Sequence, residues 1–338
     1  MMQTMSGRER VLAAFNKLPV DLTPVFSVCQ HATWDQMDKL QVYWPEANKK
    51  GGAMAALAAG GYTICDFDAV RAPYCQTFEA EALGAVLKGL DDKGVPSVNE
   101  HPYKIGDEPR FPDDFLERGR LPELIKAVRI LKETVGDKVA VIGGIVGPFT
   151  IATNLIGVTE MLKACFKKPD SVIPYIELGE RAGTMLAQAL IEAGADIICV
   201  EDMMTSLDMV SPKIYREIAG PFEKKQFSQI NVPTIIHICG KLDAIMEDIA
   251  HNGPTAISIE TVVDARAVIA RFREKGIGTP LIGGVDPLKG LFSGTPEKVK
   301  EDVIKALQDG ISMISPGCGI PPGTPLENIK AMVEQTRA

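Results

Sequence analysis

Two metal-capable side chains stand at the end of an apolar segment. In PTIIHICGKL (233–242), the β-branched run 234–236 predicts a buried strand. The run ends in His237 and Cys239, immediately before a glycine. Successive side chains of a strand point to opposite faces, so these two side chains point the same way. An imidazole and a thiol placed side by side can bind one metal ion together.

Further candidate ligands stand where other apolar runs end. Glu260 closes AISIE, Asp286 lies in GGVDP, and Cys318 lies in the Gly- and Pro-rich loop SPGCGIPPG. A lone His-x-Cys pair is more often a packing feature than a metal site, but a second cysteine in a loop strengthens the metal interpretation. Two thiolates and one imidazole form the set with which a catalytic zinc keeps its fourth position open. Sulfur ligands favour zinc over magnesium or calcium.

The elements that must position these residues alternate between short β-rich runs and helical patterns. Helices are predicted for LPELIKAVRILKETVG and PEKVKEDVIKALQDG, which carry apolar residues at three-and-four spacing and end in glycine. Such alternation implies parallel strands joined by right-handed crossovers, and eight units predict an α/β fold of the (β/α)8 TIM-barrel type. A doubly wound open sheet is the alternative. The eight strand candidates are TPVFSVCQ, AVRAPY, VAVIGGIVGP, DIICVED, PTIIHICG, AISIE, PLIGGVDP and ISMISPGCG.

A barrel would bring the candidate ligands to one rim, because the carboxyl ends of its strands converge there. His237 and Cys239 end the fifth predicted strand, and Glu260 ends the sixth. Asp286 ends the seventh, and Cys318 follows the eighth. Residues far apart in the sequence are therefore expected to form one site.

The chain shows no low-complexity linker and no charge block that would mark a domain boundary. We therefore expect a single TIM-barrel domain over residues 1–338, with helices at the N-terminus. The segment near 84–121 has poor periodicity and is expected to be an insertion over the barrel mouth.

Composition excludes several classes of protein. The 338 residues are 46% hydrophobic and 24% charged, as in a soluble globular protein. The net charge of -8 argues against a non-specific nucleic-acid surface. No apolar run approaches the roughly 20 residues that cross a bilayer, and the N-terminus lacks the apolar region of a signal peptide. We expect no membrane insertion and a cytoplasmic location.

Seven cysteines in a chain of this size fit reduced thiols better than a disulfide framework. Cys75 fits either a core or a site role. The cysteines within strand or helix patterns are predicted to be core residues: Cys29, Cys65, Cys165 and Cys199. The histidines without partner spacing are expected to be surface or loop residues: His31, His101 and His251.

Several motifs together resemble the uroporphyrinogen decarboxylase superfamily. GRERVLAAFNKLPVDLTPV, HICG, GGVDP and PGCGIPPGTPLEN carry the likeness from end to end. More narrowly, WPEA, RAPYC and PLENIKAMV are similar to its methyltransferase branch, the methylcobalamin:coenzyme M methyltransferases of methanogenic archaea. HICG with PGCG is the specific part, because the decarboxylases do not need a thiolate metal site. The Arg-rich N-terminal motif that binds porphyrin carboxylates in the decarboxylases is not found here.

The resemblance implies a barrel, one Zn²⁺ per chain, and His237, Cys239 and Cys318 as its ligands. Glu260 matches the carboxylate that fills the fourth zinc position when no thiol is bound. The implied reaction moves a methyl group from methyl-Co(III) cobalamin to the thiol of coenzyme M, giving methyl-coenzyme M for methanogenesis. Zinc holds that thiol as a thiolate, the nucleophilic form. Cobalamin should arrive on a separate methylated corrinoid protein, because this chain shows no cobalamin-binding His motif.

Some assignments stay open at this level. Arg71 and Asp202 are candidates for binding the substrate, Arg71 through the sulfonate of coenzyme M. A structural salt bridge between Arg71 and a rim carboxylate such as Asp202 is the alternative. Asp286 is either a hydrogen-bond acceptor at the rim or a turn former. The alternative functions are a tetrapyrrole decarboxylase, methyl transfer to a different thiol, and a non-catalytic zinc- or thiol-binding protein.

Overall fold

The computed structural model describes residues 4–92 and 94–338. Within these ranges the strands are β1 (Ala69–Ala72), β2 (Val86–Lys88), β3 (Ser97–Glu100), β4 (Ala140–Val146), β5 (Ile197–Glu201), β6 (Thr234–His237), β7 (Ala256–Ile259), β8 (Leu281–Val285) and β9 (Met313–Pro316). The helices are α1 (Gly7–Phe15), α2 (Trp34–Leu40), α3 (Glu46–Lys49), α4 (Gly51–Thr63), α5 (Phe78–Ala82), α6 (Leu121–Val135), α7 (Pro148–Ile156), α8 (Val158–Lys167), α9 (Ile173–Glu192), α10 (Pro212–Ile214), α11 (Gly220–Phe227), α12 (Met246–His251), α13 (Ala265–Glu274), α14 (Pro296–Asp309) and α15 (Leu326–Thr336).

Seven of the strands form one parallel sheet in the order β1, β4, β5, β6, β7, β8 and β9. At least one helix lies between each pair of consecutive strands of this sheet, as parallel pairing requires. Nearly every residue of the seven strands is buried. Strands covered on both faces read as continuous apolar runs rather than alternating ones, which explains why stretches such as VAVIGGIV were recognisable in the sequence.

The first predicted strand is a single bridge rather than a strand. Val25 pairs in parallel with Ile314 of β9, and its carbonyl accepts the N–H of Asp68 at 2.9 Å, next to β1. Both edges of the sheet are therefore joined through Val25, and the predicted barrel is confirmed over the open sheet. The ladder does not extend further because Pro24 has no N–H, while the Val25 N–H donates to the Asp68 carboxylate at 2.9 Å.

The two helices predicted from periodicity are confirmed as α6 and α14. In α6 the apolar face is buried, and a proline stands in the first turn, where helices tolerate it. In α14 the Thr295 hydroxyl caps the first turn by accepting the N–H of Lys298 at 3.4 Å. The helix ends at Gly310 with φ +95°, a left-handed conformation that favours glycine.

The segment near 84–121 contains the antiparallel ribbon of β2 and β3. Residues 95–98, at the turn of this ribbon, line a cavity together with side chains from the carboxyl ends of β5 and β9. The Phe111 and Phe115 rings lie 5.0 Å apart, and the Arg181 guanidinium lies 3.9 Å from the Phe111 ring centroid. The two rings pack against each other within the segment, and the contact of Arg181, on α9, with Phe111 fastens the segment to the barrel.

None of the helices in the described part of the chain has both the length and the apolar character needed to cross a membrane.

Asp68 and Arg10 form a buried ion pair at the closure of the barrel. Arg10 Nη1 lies 2.6 Å from Asp68 Oδ1, while the other carboxylate oxygen holds the Val25 N–H. Both side chains are almost completely buried. We expect Asp68→Ala to lower the free energy of unfolding by about 2–4 kcal/mol, because the buried Arg10 would keep only Asp21 as a carboxylate partner and the buried Val25 N–H would lose its acceptor. Urea denaturation followed by circular dichroism measures the change.

Asp137→Ala is the control for this prediction. Its carboxylate is exposed and pairs with the exposed Lys138 at 3.0 Å, an arrangement that contributes little to stability. If Asp68→Ala unfolds at the same urea concentration as Asp137→Ala, the buried pair does not stabilise the closure.

Candidate metal centre

The strand β6 carries the first candidate ligands. His237 is its last residue and is fully buried, while Cys239 lies in the following loop and is partly buried. Gly240 then turns the chain with φ +76°. A Cβ atom here would lie 2.3 Å from the Asp208 carboxylate. Both the left-handed backbone and the close approach require glycine at this position.

Cys318 reaches the same place from the loop after β9. The Cys239 and Cys318 sulfurs are 3.4 Å apart, and His237 Nε2 is 3.2 Å from the Cys239 sulfur. One ligand atom from each of the three residues lies within 4.8 Å of the others. The structure therefore brings together the three residues that the sequence predicted as ligands.

These separations fit a single tetrahedral ion. Bonds of about 2.3 Å to sulfur and 2.0 Å to nitrogen place two sulfurs about 3.8 Å apart and a nitrogen about 3.5 Å from each. The observed 3.4 Å and 3.2 Å differ from these values by no more than about 0.4 Å, which small side-chain rotations supply. The donor set can hold a metal ion that accepts imidazole and sulfur.

His237 belongs to a row of residues that crosses three strands. It is in register with Glu201 on β5 and with Ser258 on β7. The Ser258 hydroxyl lies 3.0 Å from His237 Nδ1. When it accepts the imidazole proton there, the Nε2 lone pair faces the sulfurs, which is the tautomer that metal binding requires. Ser258 was not predicted from the sequence. It lies two residues before Glu260 and therefore on the same face of the strand, a spacing that could have indicated a role at the site.

The two sulfurs share a proton. The hydrogen bond from Cys239 holds the pKa of Cys318 far below its ordinary value. The same bond raises the pKa of Cys239, and burial adds to this increase. Binding of a cation would release the remaining proton.

Glu260 stands one residue beyond β7 and is partly buried near the ligands. Burial raises the pKa of its carboxyl group, and the negative charge of Cys318 adds to the effect. Among the residues that the structure describes, the group whose ligand atoms lie within 4.8 Å of one another holds His237, Cys239 and Cys318 without Glu260. The fourth-ligand role of Glu260 stays a prediction.

Arg71 and Asp202 are both buried but do not pair with each other. Arg71 Nη2 lies 2.8 Å from the Glu201 carboxylate, to which Gln76 Nε2 also donates at 2.9 Å. Asp202 instead accepts the backbone N–H of Thr150 at 2.7 Å, in the first turn of α7. The predicted alternative, a structural salt bridge between Arg71 and a rim carboxylate, is observed, but the partner is Glu201 and not Asp202. Neighbouring residues at a strand end face opposite ways, and Asp202 faces the free N–H groups of a helix.

A cavity of about 350 Å³ opens beside Cys318. Arg71 and Glu201 form part of its wall, so the charge of the guanidinium is balanced there. Cys29 and Cys75 also reach this wall; Cys29 was predicted to be a core residue only, and Cys75 was left open between a core and a site role. The neutral hydrogen-bonding side chains on it are Gln30, Tyr74, Gln76, Thr77, Ser97, Thr150, Thr153 and Asn154.

Asp286 is a turn former. Its Oδ1 atom accepts the N–H groups of Leu288 and Lys289, each at 2.8 Å, and so begins the helical turn at 287–292. Its second carboxylate oxygen accepts the Thr261 hydroxyl at 3.4 Å, which joins the loops after β7 and β8. Both roles left open by the sequence are therefore observed.

The four cysteines expected in the core are buried, as is Cys75. His31 lies in a loop, as expected, but is completely buried. Its ring packs edge-on against Phe67 and Tyr74, with centroids 6.1 Å and 6.3 Å away. The aromatic contacts come from residues more than 30 positions away, so no local pattern marked His31 as buried.

The parallel sheet closes into a barrel, and a His-Cys-Cys cluster lies at the rim where its strands end. The protein is therefore a parallel barrel protein with a candidate metal site at this rim. The chain belongs to the uroporphyrinogen decarboxylase (URO-D) family, whose profile matches residues 6–338.

Within the family, the chain is similar over its full length to methyltransferases. It is 37% identical to the methylcobamide:CoM methyltransferase MtaA of Methanosarcina barkeri (strain Fusaro), with 98% of each chain covered. The solved structure of a methyltransferase from Methanosarcina mazei has a TM-score of 0.93 and 36% identity, again over 98% of each chain. A uroporphyrinogen decarboxylase of Prochlorococcus marinus is 30% identical over 60% of each chain. The predicted resemblance to the methyltransferase branch is confirmed.

Removing the partner of the His237 imidazole should weaken metal binding. We expect Ser258→Ala to lower the affinity for Zn²⁺ or Co²⁺ by about 10- to 100-fold, because the ring loses the acceptor that orients it and fixes its tautomer. Titration against a chromophoric chelator measures the affinity.

The control is Thr234→Val, which removes a buried hydroxyl from the other end of β6, where it accepts the N–H of Thr255 at 3.1 Å. This variant should bind metal like the wild type. Equal affinities in wild type and Ser258→Ala would contradict the assigned role.

Proposed function

We propose that this chain is an enzyme that transfers a methyl group from a methylated corrinoid protein, as methyl-Co(III) cobalamin, to the thiol of coenzyme M. The observation that carries the proposal is the meeting of His237, Cys239 and Cys318 beside a cavity at the barrel mouth. Relatives named for methylcobamide and CoM span the chain from end to end, which gives this cluster its chemical context.

The three ligands would hold one Zn²⁺ per chain, since two sulfurs and an imidazole favour zinc over magnesium and calcium. When bound, Zn²⁺ would lower the pKa of an incoming thiol, so that coenzyme M is a thiolate at neutral pH. Ser258 aims the His237 ring, and the loops after β6 and β9 hold the two sulfurs. Two protein thiolates cancel the charge of the ion, which keeps a substrate thiolate electron-rich.

Glu260 is inferred to fill the fourth position before coenzyme M enters, and then to accept the thiol proton. Its support is positional: it follows β7, lies between the strand ends that carry His237 and Cys318, and is partly buried. Gly317 packs against it so closely that an added Cβ atom would lie 3.0 Å from the Glu260 Cα. The Cys318 loop and the Glu260 backbone are thereby held together.

Arg71 is inferred to contact the sulfonate of coenzyme M. It lies on the cavity wall, and its Nε atom has no hydrogen-bond partner among the described residues. Because Glu201 already balances the guanidinium charge, the sulfonate would share this cation with the carboxylate. Asp202 is inferred to act indirectly, by orienting Thr150. It accepts a hydrogen bond at 2.6 Å from the hydroxyl of Thr150, which is another residue of the cavity wall.

The corrinoid is inferred to come from a partner protein that covers the barrel mouth. A cavity of about 350 Å³ has room for a small thiol such as coenzyme M but lies at the low end even for drug-sized ligands. Exposed apolar side chains in the segments that follow the strands and the Val25 bridge fit a surface that another protein covers. These residues are Trp34, Met209, Val262, Leu288 and Phe292.

The composition of the cavity wall argues against a tetrapyrrole decarboxylase. A substrate with several carboxylates needs several cations, whereas within 4–92 and 94–338 the wall holds one arginine, Arg71, already paired with Glu201. Methyl transfer to a different thiol would use the same centre, and an assay with several thiols separates the two. A non-catalytic zinc protein would close all four positions with protein ligands.

An assay with free methylcobalamin tests the proposed reaction. The purified protein should contain about one zinc per chain and should demethylate methylcobalamin when coenzyme M is added, which the cobalamin absorbance reports. Cys239→Ala and Cys318→Ala should lose zinc and activity while keeping the circular dichroism of a folded barrel, because these partly exposed side chains are not part of the core.

Cys165→Ala, which removes a buried thiol from α8, should keep both zinc and activity. Full zinc retention in both ligand variants would refute the site. Zinc-loaded wild type that demethylates methylcobalamin with simple thiols but not with coenzyme M would refute the acceptor.

Glu260→Gln should keep its zinc but lower kcat/KM for coenzyme M by about 100-fold or more, because an amide cannot accept the thiol proton. Metal analysis and steady-state kinetics measure the two effects. Asp286→Asn, which changes a carboxylate at the next strand end, should affect neither strongly. Zinc loss in Glu260→Gln as complete as in the cysteine variants would show that Glu260 is a permanent ligand and not an exchangeable one.

A further inference from the structure

A second cleft, of about 550 Å³, lies beside α2. The Trp34 N–H at the start of α2 donates to the Pro322 carbonyl at 2.8 Å, which ties this helix to the loop after β9. Both tryptophans of the chain line the cleft, and within 4–92 and 94–338 its wall carries one charged side chain, a carboxylate. The residues of the wall are Trp34, Met37, Asp38, Tyr43 and Trp44.

The local fold builds this wall from two sides. Trp34, Met37 and Asp38 stand three and four positions apart on α2 and so share one face of the helix. The helix ends at Gln41, whose left-handed backbone with φ +55° turns the chain back toward the cleft. Gln41 Nε2 donates to the Asp38 carbonyl at 2.8 Å and to the Tyr43 hydroxyl at 3.1 Å. One amide therefore joins the two sides.

The aromatic rings of the cleft differ in exposure. Trp44 is 2% exposed and packs against the Tyr74 ring, with centroids 5.9 Å apart. Trp34 is 57% exposed and Tyr43 is 42% exposed. The buried tryptophan is a fixed part of the wall, and the two exposed rings leave aromatic surface for a ligand.

We propose that this cleft binds an organic cation of the alkylated ammonium class. The positive charge of such a group is attracted to the faces of aromatic rings, and tryptophan gives the strongest attraction. The Asp38 carboxylate adds a charge of the opposite sign, from which a neutral apolar ligand would gain nothing.

The wall favours an alkylated ammonium over a primary one. A primary ammonium is strongly hydrated and has three N–H donors, which aromatic rings satisfy poorly. Binding here does not depend on the methyl transfer proposed above, because this wall shares no residue with the cavity beside Cys318.

Choline and its neutral analogue neohexyl alcohol, in which carbon replaces the charged nitrogen, test the proposal. Since both tryptophans of the chain line the cleft, tryptophan fluorescence of the purified protein reports its occupation. Choline should bind with a Kd of about 0.1–10 mM. Neohexyl alcohol should bind at least about 10-fold more weakly, and sodium chloride at the same ionic strength should leave the fluorescence unchanged.

Two variants locate the bound cation, with the proton resonance of the choline methyl groups as the measure of affinity. Trp34→Leu, which keeps an apolar side chain without an aromatic face, should weaken binding by about 3- to 30-fold, and Trp34→Phe should weaken it less. Asp38→Asn should weaken binding by about 2- to 5-fold, as expected for an exposed pair of charges. Glu46→Gln is the matched control, because it removes an exposed carboxylate outside the wall and should leave the affinity unchanged.

Equal binding of choline and neohexyl alcohol would overturn the proposal and leave an apolar cleft without preference for charge. Absence of choline binding would overturn it as well, as would wild-type affinity in both Trp34→Leu and Asp38→Asn. Tighter binding of lysine amide than of choline would assign the cleft to a primary ammonium instead. All of these measurements are made without a methyl donor or coenzyme M, so their outcome leaves the methylcobalamin assay independent.

Discussion

The candidate metal centre depends on the closure of the parallel sheet. Val25 pairs with Ile314 of β9, which is hydrogen-bonded to the flanking Pro24 carbonyl and Phe26 N–H, and Val25 itself is bonded to Asp68, beside β1. One short segment therefore joins the two edges. Closure fixes the distance between the first and the last loop at the mouth. Cys29 and Cys318 each follow their bridged residue, Val25 or Ile314, by four positions. The same few hydrogen bonds therefore complete the barrel and bring these two cysteines to the wall of one cavity.

The buried charges of Arg71 and Asp202, at the barrel mouth, are stabilised by two different kinds of partner. Arg71 is matched by Glu201, and Asp202 by the N–H groups at the start of α7. Burying a charge without such a partner costs several kcal/mol. The sulfurs of Cys239 and Cys318 share one proton in place of a cation, and a divalent ion is the group that would replace it.

The fold alone does not separate the activities of this family, since decarboxylases and methyltransferases share it. In this chain, the residues at the rim distinguish the two activities. Sulfur and imidazole groups stand where a metal would bind, and the described cavity has a neutral wall with one arginine, whose charge Glu201 balances. The loops that carry these groups can change while the barrel beneath them stays the same. The function is therefore assigned from the residues at the rim and not from the fold.

The sequence by itself determined the parts of this protein that follow from local pattern. Continuous apolar runs marked the buried strands, capping residues and periodicity marked α6 and α14, and the His-x-Cys spacing put two ligands on one face. Tertiary structure alone decided which distant groups meet: that Val25 would form a bridge, that Arg71 would pair with Glu201, and that Ser258 would stand behind the candidate ligand His237. These pairings depend on the register between strands, and a shift of one residue reverses every side chain, so spacing along the chain cannot specify them.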